Sequence, residues 1–243
     1  MEDENILFLN DCLECETVYD FLLIFLITTG TRLNEARGLQ WDKIDFNKKT
    51  ITINQQVQSV PNTNKNSKYK NESKIIKETK TKSSNREIPV IEFLIPTLKK
   101  LKNKQNELKL KMGSSYNREL NLVFAKDNGY FICDTTLRKY YKEKLKRLGI
   151  KHIRLHGLRH TFATRGFEAG VDTKVISSYL GHSNIATTMD IYTHVLPNKK
   201  RELVDKTSSF YDKITNKNVE KNYNIFTAKR RGKSIGNNPT NKR

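Results

Sequence analysis

Thr50-Ile51-Thr52-Ile53 alternates polar and apolar residues strictly, and this period of two is confined to a short island of the chain. A half-buried strand repeats every two residues, whereas an amphipathic helix repeats every 3.6. Two further candidate strands follow at about 74–78 and 86–90. Between the first two, 61–71 is rich in Asn, Ser and Lys and reads as a long exposed hairpin tip. On both sides of the island the patterning is helical. The simplest account is a small three-stranded antiparallel sheet set into a mostly helical chain, an α+β fold that is mostly α.

Asn10 and Asp11 are expected to cap an apolar helix running to about Thr29, with Gly30 as its stop. Thr31 is placed to cap a short helix carrying Arg32, Glu35 and Leu39 that ends near Trp41. After the sheet, Phe93, Leu94, Leu98, Leu101 and Leu108 recur on one face across 91–111, and Met112-Gly113-Ser114-Ser115 breaks the pattern. Leu122-Val123-Phe124 is a short extended piece. Asp134 is expected to cap a helix through Leu148, which Gly149 terminates. The remainder to about Ile214 reads as short helical pieces punctuated by Gly170, Gly181 and Pro197. Beyond Ile214 the chain is polar and basic, with Lys229-Arg230-Arg231-Gly232-Lys233, and lacks the apolar content to fold alone. The chain is therefore read as one domain over 1–213 and a basic tail over 214–243, without an internal repeat.

A net charge of +19 over 243 residues attracts polyanions, of which nucleic acid is the commonest for such a chain. The longest apolar run, 21–27, is too short to span a bilayer, and Met1-Glu2-Asp3-Glu4 has the wrong sign for the basic head of a signal peptide. A cytoplasmic protein without a membrane partner is expected. The cysteines are Cys12, Cys15 and Cys133, an odd and sparse set that points to a reducing compartment. Cys12-Leu13-Glu14-Cys15 is a lone CxxC with no second pair to complete four zinc ligands. His152, His156 and His160 would share a metal face if the whole stretch were helical. However, Ile153-Arg154-Leu155 looks extended, no acidic ligand stands nearby, and Arg159 beside a cation is unfavourable. No metal and no cofactor are expected.

The chemistry concentrates in His156-Gly157-Leu158-Arg159-His160, Leu180-Gly181-His182 and Tyr192. Imidazoles, a guanidinium and a phenol in one stretch suit the handling of a phosphodiester. Arg159 can hold two phosphoryl oxygens bidentately, which lysine cannot do with the same geometry. A tyrosine hydroxyl is a poor nucleophile at its free pKa and needs electropositive company to attack phosphorus. Taken singly these residues are ordinary: Arg32 reads as a surface arginine paired with Glu35, Tyr192 as a core residue, and Lys80 as one of many lysines.

Together they carry a resemblance. Thr28-Thr29-Gly30-Thr31-Arg32-Leu33-Asn34-Glu35-Ala36, with Leu39 and Trp41, resembles the first arginine box of the tyrosine recombinase (phage integrase) family. Lys80-Thr81-Lys82-Ser83-Ser84-Asn85-Arg86-Glu87-Ile88-Pro89-Val90 resembles its β-hairpin lysine segment. His156 to Thr164 resembles the second box, and 180–188 with Ile191-Tyr192-Thr193-His194-Val195 resembles the close of the motif. The likeness covers roughly 6–213, in the right order, and is nearest in flavour to integrases of prophages and conjugative transposons.

The resemblance implies a tyrosine recombinase catalytic-domain fold and metal- and ATP-independent strand exchange on double-stranded DNA. Tyr192 would attack the scissile phosphate, giving a 3′-phosphotyrosine and a free 5′-hydroxyl. Arg32 and Arg159 would neutralise charge on the non-bridging oxygens, and His182 would add a hydrogen bond to the same group. His156 would assist proton transfer at the tyrosine hydroxyl. Lys80 would protonate the leaving 5′-oxygen, with Lys82 the alternative because the segment can slide by two residues. Glu35 would orient the first arginine region and His160 would support the second box. Family members assemble as oligomers on DNA, in a tetrameric synapse, and 201–214 is a candidate helix for contact with a neighbouring subunit or with its own domain. The first arginine box begins within thirty residues of Met1, so the helical core-binding domain of full-length members has no room ahead of it; weak, salt-sensitive DNA binding is expected. Two other functions fit the same residues: a non-catalytic DNA-binding accessory module, and a type IB topoisomerase-like enzyme.

Overall fold

The computed structural model describes residues 2–60, 73–78, 84–186, 188–189, 204 and 207–208. The chain divides into two units, 1–193 and 194–243. In the second, 204 and 207–208 are described; they are helical and exposed. All elements below belong to the first. The hairpin tip at 61–71, the tail from 214 and most of 201–214 lie outside the described residues.

The first helix of the sequence reading is in fact two: α1 (Glu2–Cys15) and α2 (Val18–Thr29). Asn10 and Asp11 fall inside α1 and do not cap α2. The cap is Thr17, whose hydroxyl accepts from the Asp20 amide at 3.2 Å while the Asp20 carboxylate accepts from the Thr17 amide at 2.9 Å. This reciprocal pair satisfies two amides that no helical carbonyl can reach. Glu16, at φ 51°, supplies the break between the helices.

α2 is apolar on every side, as a central helix must be. Leu22, Leu23, Ile24 and Phe25 are buried in the main core, and α2 packs against α1, the short helix α3 (Leu33–Arg37), α4 (Leu94–Met112) and α6 (Leu155–Glu168). Phe25 meets Phe124 with ring centroids 5.1 Å apart. α4 covers the core with Leu94, Leu98 and Leu101. Its buried Gln105 accepts from Trp41 Nε1 at 2.8 Å and donates to the Val123 carbonyl at 2.7 Å, so the buried amide is matched at both ends.

Strand β2 (Thr50–Ile53) lies between β1 (Ile44–Asp45) and β5 (Arg86–Pro89), all antiparallel, with Ile51 opposite Ile88 and Ile53 opposite Arg86. The alternation in β2 sends Ile51 and Ile53 into the core. A three-stranded sheet is present, but not with the expected membership. The 74–78 strand leaves it: β4 (Ser73–Glu78) pairs with β3 (Gln55–Val60) in a separate two-stranded sheet. The reason is a second, smaller core, in which Val57 packs with Leu122, Ala125 and Phe131, and Ile76 lies against it. Gly38 lets β3 approach α3, because a Cβ there would stand 3.0 Å from the Gln56 backbone.

Next come α5 (Asp134–Arg147), which starts after extended Cys133 so that Asp134 sits in its first turn rather than at its cap, then α6 and α7 (Thr173–Leu180). No helix among the described residues is long and apolar enough to cross a membrane.

α1, α2 and α5 are joined by buried charges. Lys144 pairs with Asp11 and, at 2.8 Å, with Asp20, and Tyr140 donates to Asp20 at 2.7 Å. Burial works against the Lys144 charge, yet the two carboxylates outweigh it and raise its pKa above the ordinary value. Removing one partner of such a cluster strands the others. Lys144→Met is expected to lose about 3–5 kcal/mol of stability, read from urea melts at pH 7. A loss under about 1 kcal/mol would mean that water already compensates the carboxylates.

Candidate active site

The α2–α3 turn begins the site. Gly30 caps α2 in the left-handed region at φ 61°, and its amide closes the helix on the Leu26 carbonyl at 2.9 Å. A Cβ there would stand 2.7 Å from Phe162 Cδ1 and 2.8 Å from Leu180 Cδ2, so α6 and α7 both press on this glycine. Gly30→Ala is expected to cost about 2–4 kcal/mol from backbone strain and overpacking, measured by thermal or urea unfolding. A neutral result would show that Phe162 and Leu180 yield freely.

Arg32, not Thr31, is the N-cap residue of α3, with extended backbone at φ −69° and ψ 144°. Its amide donates to Glu35 Oε2 at 3.1 Å and its Nη1 to Oε1 at 2.7 Å. Nη2 reaches across to the Gly181 carbonyl at 2.8 Å. Glu35 is buried and also ion-paired with Arg86 at 2.9 Å. Burial pushes the Glu35 carboxyl up, but Arg86 and then Arg32 outweigh it and hold the group below its ordinary value. It is an anion at neutral pH.

Arg159 projects from α6 and is 2% exposed. Its Nη1 donates to the Gly30 carbonyl and its Nη2 to the Leu180 carbonyl, each at 2.9 Å. Among the described residues no carboxylate lies within ion-pair distance of it. Burial, and then the Arg32 charge, draw its pKa down to about 9, against the pull of Glu35. At neutral pH it is a buried cation held by carbonyls alone. Such a charge is short of an anion.

His182 follows the α7 cap Gly181, which is left-handed at φ 70°. Burial, then Arg159 and Arg32, lower its pKa to about 4, so the ring is neutral at pH 7. Its Nδ1 is 2.6 Å from the Thr188 hydroxyl. His156 and His160 share α6, with ring centroids 4.8 Å apart and edge to face. Arg154 is extended at the start of that helix, which leaves His152 outside it. Burial lowers both the His156 and His160 pKa values, with neighbouring positive charge adding to it. Arg32 and His156 open onto a groove of about 1260 Å³ that Arg37, Lys126 and Arg138 also line, with Glu119 and Asp134 as its acidic members.

The structure thus brings Arg32, Glu35, Arg159, His156 and His182 together around the Gly30 turn and the α7 terminus. Lys80, Lys82 and Tyr192 lie outside the described residues. Two residues were given no role by sequence reasoning. Thr188 fixes His182 and carries no signal in its local pattern. Arg86 had one: it falls two residues before Ile88 in a strand, on the inward face, and an inward arginine needs a carboxylate. Cys133 sits at the start of α5, where hydrogen bonds from Thr135 and Thr136 lower its pKa to about 6. Among the described residues no three of His, Cys, Asp and Glu come together as a metal set.

Fold and site define a mostly helical domain in which the guanidinium groups of Arg32 and Arg159 are held on backbone carbonyls at the end of α7. The family model for the phage integrase family matches residues 2–199, and the chain belongs to that family. A relative described as a XerC-like tyrosine recombinase, from Caldanaerobacter subterraneus subsp. tengcongensis, is 42% identical over 195 residues, 79% of this chain and 49% of its own length. The ICEBs1 integrase of Bacillus subtilis is 30% identical over 183 residues, 73% of this chain and 45% of its own. The chain spans about half the length of these curated relatives. Among solved structures, the Tn1549 transposon integrase in complex with transposon right end DNA superposes with a TM-score of 0.59 at 26% identity, over 77% of this chain and 58% of that one. XerA recombinase, at 22% identity and a TM-score of 0.58 over 85% of this chain and 61% of that one, shares the fold. The fold is that of tyrosine recombinase catalytic domains.

Proposed function

We propose that this chain catalyses site-specific DNA recombination by cleaving and rejoining strands through a 3′-phosphotyrosine. The observation that carries the reading is Arg159, a buried cation with no carboxylate at ion-pair distance among the described residues, set beside Arg32 on neighbouring carbonyls at the end of α7. Two guanidinium groups at fixed positions repel each other until an anion enters. They stabilise most the state in which that anion carries extra charge, the five-coordinate phosphoryl transition state. The reading assigns the Thr188 hydroxyl, 2.6 Å from His182 Nδ1, as the donor of that bond, which puts the ring proton on Nε2, where a neutral imidazole donates to a non-bridging oxygen. His156, uncharged at neutral pH, is able to take the proton of the attacking Tyr192 hydroxyl. Lys80, or Lys82 if the segment is shifted by two residues, protonates the departing 5′-oxygen. The phosphotyrosine conserves the energy of the broken ester, so an incoming 5′-hydroxyl reverses the step and neither ATP nor a divalent metal enters the scheme.

The reading places the catalytic domain at 1–213, with 214–243 as a basic tail that adds electrostatic attraction for DNA. It also makes the chain a cytoplasmic protein that works as an oligomer on double-stranded DNA. The DNA-bound Tn1549 integrase and the net charge of +19 support the choice of substrate. A nicked suicide substrate carrying a related element's attachment site, incubated in EDTA, tests the reading. A 3′-linked adduct with a free 5′-hydroxyl is expected, and its loss in Tyr192→Phe. Absence of any adduct, or an unchanged adduct in Tyr192→Phe, would contradict it.

A further inference from the structure

Three consecutive carbonyls at the end of α7 each accept from a different arginine. Tyr179 takes Arg86 Nε at 2.7 Å, Leu180 takes Arg159 Nη2 at 2.9 Å, and Gly181 takes Arg32 Nη2 at 2.8 Å. The last carbonyls of a helix have no partner in their own ladder and carry its negative end, so cations gather there readily. Two of these arginines face the proposed phosphate site. The third, Arg86, is 8% exposed in its side chain and is turned inward.

Among the described residues, the Arg86 guanidinium makes more hydrogen bonds than either of the others. Its Nη2 donates to Glu35 Oε2 at 2.9 Å, and its Nη1 donates to Glu35 Oε1 at 3.4 Å and to the Ser84 carbonyl at 3.1 Å. The Tyr179 hydroxyl returns a bond to the Pro89 carbonyl at 3.0 Å, so β5 and α7 are tied near both ends of the strand. Glu35 is also the group that holds Arg32, through its amide and its guanidinium. Arg32 is the least buried of the three arginines, with a side chain 36% exposed, and the like charge of Arg159 pushes against it. A Glu35 carboxylate bound by Arg32 alone would be free to turn, and Arg32 would turn with it away from Arg159.

We propose that Arg86 is a positioning residue for strand cleavage: by gripping Glu35 and the Tyr179 carbonyl at once, it fixes Arg32 at the angle that faces the scissile phosphate beside Arg159. The proposal rests on the recombinase reading of this site. Arg86 itself touches no substrate.

Two variants of the full chain test it. Arg86→Met keeps the length of the stem, and Arg86→Lys keeps a charge for Glu35 but not the fork that also reaches Tyr179. The first readout needs no activity: the side-chain 15N–1H signals of Arg32, assigned with Arg32→Lys. Pinned between Glu35 and Gly181, the Nη protons rotate slowly and give separate signals; Arg86→Met is expected to average them, with Arg86→Lys in between. The second readout is cleavage of nicked DNA below the melting temperature of the variant. Arg86→Met is expected to lower kcat about 10–100-fold with KM within about threefold, and Arg86→Lys to restore part of it. On DNA with a neutral methylphosphonate at the scissile position, the Arg86→Met deficit is expected to shrink as the Arg32→Ala deficit does. Should Arg86→Met fail to fold, Arg86→Lys is read in the same way. Unchanged Arg32 signals, or an unchanged kcat in folded protein, would overturn the proposal. If the unmodified chain forms no adduct, the recombinase reading fails, while the Arg32 spectrum still decides whether Arg86 governs Arg32.

Discussion

Arg159→Ala is expected to slow strand cleavage about 10²–10³-fold or more, while the affinity for DNA changes by less than about tenfold. The asymmetry follows from where Arg159 sits. It is buried, held by the Gly30 and Leu180 carbonyls, and among the described residues no carboxylate lies within ion-pair distance of it. Its charge therefore serves whatever anion enters, and serves it best when negative charge peaks in the transition state. On the proposed reading, duplex affinity would be spread over many of the 45 lysines and arginines. Arg159→Lys is expected to recover little, because an ammonium cannot bind two carbonyls and a phosphate in the same fixed plane. Single-turnover cleavage and fluorescence anisotropy on one substrate measure the two effects. Equal losses in both would make Arg159 a binding group.

Glu35→Ala is expected to be the costlier change for the fold, about 3–5 kcal/mol. It leaves Arg86, 8% exposed, and Arg32 without their shared carboxylate, next to a third guanidinium on Arg159. Three cations would then crowd the α7 terminus with only carbonyls to hold them. Linkage gives the sign of the pH dependence. The Glu35 pKa is depressed in the folded protein, so its contribution is complete above the ordinary value of 4.5 and is lost as pH falls through the lower, native value. Urea melts of the unmodified chain should hold this contribution from pH 8 down to about 5 and lose it below, whereas Glu35→Gln should lack that acid-side loss. A Glu35→Gln curve parallel to that of the unmodified chain would show that another carboxylate governs the acid limb.

How much of this was legible in the sequence varies with the range of the interaction. The alternation of Thr50 to Ile53 correctly sends Ile51 and Ile53 inward, because a period of two is a local property. The partners of that strand were not legible: β1 is two residues long and leaves no pattern, and β4 pairs with β3 and lays Ile76 against a small core that includes Leu122 and Phe131, far along the chain. The α1–α2 break was legible and was missed. Thr17 and Asp20 stand three residues apart before an apolar run, a stronger cap signal than Asn10 or Asp11. In the site, Arg32, Arg159, His156 and His182 came from residue type, spacing and family resemblance, and the structure gathers them. What the sequence concealed is the means of gathering. Successive carbonyls of α7 act as the template, and no side-chain pattern reports where a backbone oxygen will point. Arg86 stood in the quoted lysine segment, and only its pairing with Glu35, 51 positions away, gives it a function.

Locating the DNA on the protein tests the phosphotyrosine chemistry most directly. The adduct formed with the suicide substrate is digested with protease and nuclease, and the peptide retaining a phosphonucleotide is sequenced by mass spectrometry. A single modified peptide with the phosphoester on Tyr192 is expected. A phosphoester on any of the other nine of the ten tyrosines, or an adduct through a different residue type, would contradict it.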